Sequence, residues 1–118
     1  MSETPKPPVN TVEFIKMAYG DLQGFRELAG EFFEDVYRRQ PSWQELAGQG
    51  NYDRLREELH RCKGGASIFG MERVISLIKA AEEVEALELH GFDFSTFIME
   101  LKDAERAIAV IDSGAEKA

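Results

Sequence analysis

The chain has 118 residues, and fourteen Lys plus Arg against twenty-two Asp plus Glu leave a formal charge of -8 at pH 7. That length suits one domain, which buries somewhat more than about 60% of its unfolded surface and needs no staple, while the single cysteine, Cys62, excludes an internal disulfide or a four-cysteine zinc site and favours a reducing, cytoplasmic compartment. At 43% hydrophobic and 31% charged the composition is that of a water-soluble globule, with no apolar run near the roughly 18 residues a membrane span needs and no Lys/Arg stripe for nucleic-acid binding.

Residues 1–9 read as a flexible lead-in, because Pro5, Pro7 and Pro8 remove amide donors and favour an extended chain. The first ten residues lack the basic and then apolar regions of a secretory signal, which argues against export by that route. The domain is expected over 10–113, with 114–118 a polar tail. Asn10 or Thr11 can cap a short helix facing inward through Val12, Ile15 and Tyr19, and Gly20-Asp21 stops it and starts the next. The second helix is expected from Leu22 to about Arg39, with Phe25, Leu28, Phe32 and Val36 inward and Pro41 beyond its end. Gly24 and Gly30 weaken its propensity by about 1 kcal/mol each relative to alanine. A turn-rich stretch should fill 40–50.

From Tyr52 to Phe69 the pattern is clearest, with Leu55, Leu59, Cys62, Ala66 and Phe69 on one side. A fourth segment, Glu72 to Leu89, directs Val74, Leu77, Ile78, Ala81 and Val84 inward, and His90-Gly91 stops it. Asp93 or Ser95 can cap a last helix in which Phe97, Leu101, Ala104, Ile108 and Ile111 repeat. No segment alternates as a half-buried strand would, and there is no internal repeat. The expected fold is all-α: an antiparallel, up-down four-helix bundle with an additional short N-terminal helix.

On a wheel of 100° per residue the buried direction of the third helix lies almost opposite His60, which therefore faces water. Arg56, Lys63, Gly64 and Ser67 share that outer stripe, giving an exposed electropositive patch beside bare backbone. Two adjacent glycines cost about 2 kcal/mol of helix propensity, so something must offset them. Gly65 can admit a neighbouring helix, and Gly64 can admit a partner to the ring. A neutral imidazole is a nucleophile near pH 7 that can attack activated phosphorus, and Lys63 and Arg56 can offset the added charge. With no Walker-type loop and no acidic cluster around a lysine, the chain has no autonomous ATP-dependent site, and most of the apparatus for transfer must come from a partner.

The segment His60-Arg61-Cys62-Lys63-Gly64-Gly65-Ala66-Ser67-Ile68-Phe69-Gly70, continuing to Leu77 and Glu82, resembles the signature of histidine-containing phosphotransfer (HPt) domains. That signature is a histidine, an apolar residue two on, Lys-Gly at three and four, a small residue at six and glycine at ten. Cys62 replaces the more usual leucine, a change of packing rather than chemistry. Gly20-Asp21 also resembles the family, so the similarity spans roughly Thr11 to Ile111, with the central segment distinctive. The resemblance implies a two-component phosphorelay protein whose His60 takes a phosphoryl group from one response-regulator receiver domain, including that of a hybrid histidine kinase, and passes it to another. It implies Lys63 near the phosphate and Gly64 as the point of access; from their place on the outer stripe, Arg56 and Ser67 are expected to be phosphate-proximal. The chain needs no cofactor of its own, since magnesium would belong to the partner receiver. Ile68, Phe14 and Met17 are the candidate docking residues.

Other patterns have plainer readings. Glu57-x-x-His60 lacks the second copy that a di-iron or di-manganese bundle site needs, because Leu87 stands three residues before His90. His90 suits a helix C-terminus, and Glu82, Glu83, Glu85 and Glu88 read as a solvated face. Cys62 should be a small, inert core residue. The alternative to a phosphorelay protein is a non-catalytic helical adaptor.

Overall fold

The computed structural model describes residues 6–111, so the tail expected over 114–118 and the first five residues of the lead-in lie outside the described residues. Its helices are α1 (Thr11–Met17), α2 (Leu22–Gly48), α3 (Tyr52–Ile68), α4 (Glu72–Glu83) and α5 (Phe94–Ala109), with a 3-10 turn at Ala86–Gly91 between the last two. α3 packs on α2 and α4, and α5 closes the ring against the same two helices. Short connections at 49–51 and 69–71 make sequential neighbours antiparallel. Among the described residues there is no strand, and no helix is long and apolar enough to cross a membrane.

The α3 stripe is the spine of the core: Leu55, Leu59, Cys62, Ala66 and Phe69 are all buried, as their spacing predicts. The α5 stripe of Phe97, Leu101, Ala104, Ile108 and Ile111 is buried likewise. α5 starts on Asp93, whose carboxylate accepts from the Thr96 amide at 3.0 Å, and at its far end the Arg26 guanidinium on α2 donates to the carbonyls of Ile108 and Ile111.

α1 is turned differently from its expected face. Phe14 is wholly buried, with its ring 4.7 Å from Phe25, while Val12 and Tyr19 are exposed. Phe14, Ala18 and the preceding Val9 fill the space above the α2–α3 contact, a better fit for a phenyl ring than for the smaller Val12. Asn10 caps this helix through the Glu13 amide. Tyr19 has a φ of 50° and lies outside the helix, at the turn into α2. Nor is the described end of the lead-in free: Val9 is buried, the Asn10 amide donates to the Gly70 carbonyl at 2.8 Å, and Arg73 holds the Lys6 carbonyl at 2.6 Å.

α2 departs most from expectation. It continues through Pro41 to Gly48 instead of stopping near Arg39, so of the turns expected over 40–50 residues 40–48 are helical and only 49–50 form a turn. Proline inside a helix costs about 3 kcal/mol. Burial of Trp43, together with a 3.0 Å bond from its indole N–H to the buried carboxylate of Glu58, supplies a compensation of that order. The inward stripe is Phe25, Ala29, Phe33, Val36 and Trp43, so Phe25 and Val36 face inward as expected while Leu28 is exposed and Phe32 half-buried at the edge. Gly24 is not a defect, since it sits in the first turn and gives its amide to the Asp21 cap at 2.9 Å.

α4 ends at Glu83, short of Leu89. Val84 turns to extended backbone with a ψ of 162°, and Arg56 on α3 donates to its freed carbonyl at 2.7 Å. The 3-10 turn then buries Leu89, and Leu77 and Val84 are only partly buried.

The adjacent glycines of α3 have opposite surroundings. A Cβ at Gly65 would collide with the Phe32 ring, whereas one at Gly64 would meet nothing within 4 Å. Gly64→Ala should therefore raise thermal stability by about 1 kcal/mol through helix propensity, and Gly65→Ala should lower it by about 1–3 kcal/mol through overpacking against α2. Denaturant melts of the two variants check both signs.

Candidate functional site

His60 stands at mid-α3 with its side chain 70% exposed, as the wheel predicts. Its Nδ1 lies 2.6 Å from Oε2 of Glu82 on α4, and the other oxygen of that carboxylate accepts from Lys63 Nζ at 2.5 Å. One carboxylate thus bridges the imidazole and the ammonium three residues further along α3. Lys63 is only 21% exposed and stretches across the α3–α4 seam to reach it.

Electrostatics decide what that bridge does to the ring. The Lys63 hydrogen bond pulls Glu82 below the ordinary carboxylate value; partial burial opposes this, and the His60 bond adds to the lowering. An ionised carboxylate is acceptor only, so Nδ1 must carry the proton it donates. That assigns the neutral ring its Nδ1–H tautomer and leaves the lone pair on Nε2, the nitrogen on the far side from Glu82.

The residues singled out in the sequence divide. His60, Lys63 and the open backbone of Gly64 lie together on one face. Arg56 is on that face, but its guanidinium is committed to the Val84 carbonyl, and Ser67 bonds back to the Lys63 carbonyl at 2.9 Å. Ile68 and Met17 are exposed. Phe14 is not a docking residue: it is completely buried and packs in the core against Phe25. The expected electropositive patch is also corrected. The open concavity of about 700 Å³ before His60 is lined by Asp53, Glu57 and Glu82 as well as Arg56 and Arg61, so opposite charges offset each other there.

Glu82, read from the sequence with Glu83, Glu85 and Glu88 as part of a solvated face, is instead 21% exposed and bonded to both His60 and Lys63. Symmetry about the turn reveals it. Residues 60 and 82 are equally far from Met71, so an antiparallel α3–α4 hairpin brings them level. Cys62 is buried, and burial pushes its thiol up to about 12, which makes it unreactive at neutral pH. Among the described residues no three His, Cys, Asp or Glu side chains gather as metal ligands.

The depressed pKa of Glu82 has a signed consequence. A carboxyl group lowered on folding adds stability above its ordinary value of 4.5, and that contribution is lost as pH falls through the folded value. Wild type should exceed Glu82→Gln by roughly 0.5–1 kcal/mol at neutral pH, with the gap closing as pH falls below 4.5. Urea melts across that range measure it.

Comparison with known proteins identifies the family. The Hpt domain family model matches residues 27–109, from within α2 to the end of α5, and so includes the whole α3–α4 hairpin. No curated protein and no solved structure matches the chain. With an all-helical bundle and a match over more than half its length, the chain belongs to the Hpt domain family, whose members serve histidine phosphotransfer in phosphorelays.

Proposed function

We propose that Nε2 of His60 is the phosphoacceptor of a phosphorelay, receiving a phosphoryl group from the aspartyl phosphate of a receiver domain and returning it to another. The observation that carries this reading is the Glu82 bond to Nδ1, because it leaves the nucleophilic lone pair on the nitrogen farther from Glu82 in a ring that is mostly exposed.

In the forward step the Nε2 lone pair forms a bond to phosphorus while the phosphorus–oxygen bond to the donor carboxyl breaks, and that carboxylate leaves with the electron pair. The ring becomes an N-phosphorylated imidazolium, still donating Nδ1–H to Glu82. The carboxylate opposes the ring's new positive charge and has no need to move, so stabilisation is in place before the reaction. Lys63 acts on the ring through Glu82, keeping the carboxylate ionised and aimed. It also stands on the face that the phosphoryl group enters. Gly64 leaves that face open, and magnesium is assigned to the receiver.

The test is incubation with a phosphorylated receiver. Acid-labile, base-stable label should appear on the chain and be absent from His60→Gln; label persisting in that variant transfers the role to His90, and no label on the wild type favours an adaptor. Lys63→Ala should slow transfer roughly fivefold, the equivalent of about 1 kcal/mol, while leaving the fold intact. Gly64→Leu should block transfer from the receiver with the helix still formed, which circular dichroism verifies. An unchanged rate in Gly64→Leu contradicts the access argument.

A further inference from the structure

Beside the His60 face, the seam between the C-terminal half of α2 and the start of α3 holds a second concavity of about 350 Å³. It is lined by Arg39 from α2 and Arg54 and Arg61 from α3, together with Ser42, Gln49 and Asn51. Two carboxylates also line it, Glu45 and Glu58.

Glu58 is the unusual member, a carboxylate only 8% exposed between two helices. Its Oε1 accepts the Trp43 indole N–H at 3.0 Å, and its Oε2 faces Arg54 at 3.5 Å and Arg61 at 3.3 Å. Both oxygens are thus spent inside the protein, and two guanidinium groups are tied to the same point from outside. Each guanidinium has five N–H donors, and these pairings use few of them. Arg39 is held in the same manner from its other side, with only its Nε on Asp35 at 2.9 Å. Arg39 and Arg54 are held through Nε and Arg61 through one terminal nitrogen, which leaves further donors on each exposed side chain.

We propose that Arg39, Arg54 and Arg61 form a docking surface for an acidic segment of the protein that meets His60. Two observations select this occupant. The arginine side chains are 48%, 60% and 71% exposed, too open to enclose a small anion but suited to surface carboxylates. Arg61 also lines the concavity before His60, so one partner surface can cover both places. On a chain of net charge -8 this cluster would give an acidic partner an attractive place to land, fixing its register over the histidine.

The identity of the partner rests on the phosphoacceptor reading, whereas the acidic specificity of the surface does not, and the test separates them. Isotope-labelled full-length chain is titrated with hexa-aspartate peptide at low ionic strength, following the arginine Nε–H signals, with hexa-lysine as control. Saturable shifts should concentrate on Arg39, Arg54 and Arg61, vanish in high salt, and require at least about tenfold more peptide in Arg39→Gln/Arg54→Gln. Shifts spread equally to Arg73 and Arg106, or an equal response to hexa-lysine, overturn the proposal. The wild-type titration decides even if the double variant is unstable. Labelling of the same sample with phosphoramidate reads His60 separately: failure there overturns the phosphoacceptor reading, and the arginine surface still stands or falls by the titration.

Discussion

The Glu82 carboxylate joins α3 to α4 at the level of His60, taking the imidazole on one oxygen and Lys63 on the other. A lone histidine on a helix exchanges its proton between two ring nitrogens and samples several rotamers. Bound to an ionised acceptor it has one tautomer and a preferred orientation. The chemistry of the exposed nitrogen therefore depends on a residue twenty-two positions away in sequence, and on the hairpin that brings it level.

The packing of α3 on α2 also clears the face that carries His60. Gly65 lets the Phe32 ring lie against the α3 backbone, and Phe32 in turn meets Phe69 with ring centroids 5.7 Å apart. One residue earlier, Gly64 has open space where a side chain would stand. The pair reconciles two demands on one helix turn, close approach to α2 on one side and access for a partner on the other. On the α2 side, Glu58 and Trp43 form a buried polar bond between helices, which keeps the lower half of α2 helical past Pro41.

Where one helix face sufficed, the sequence was enough. The stripes of α3 and α5 follow from spacing alone, as does the exposure of His60 opposite the α3 stripe. Elsewhere distant contacts overrule local preference. Pro41 signals a stop, yet Trp43 finds its partner on α3 and the helix continues. In α1 several apolar residues compete in a seven-residue helix, and the space beside Phe25 and Phe69 selects Phe14, which is why that residue is core rather than contact surface. The positive patch failed for a related reason: Lys63 and Arg56 are cations on the outer stripe, but each is claimed by α4 or the chain just after it.

The central claim concerns which nitrogen reacts, and nitrogen-resolved NMR of the phosphorylated chain addresses it directly. The account predicts a phosphorus–nitrogen coupling at Nε2 of His60 with the proton retained on Nδ1. A phosphoryl group on Nδ1 of that ring, or on another residue, contradicts it.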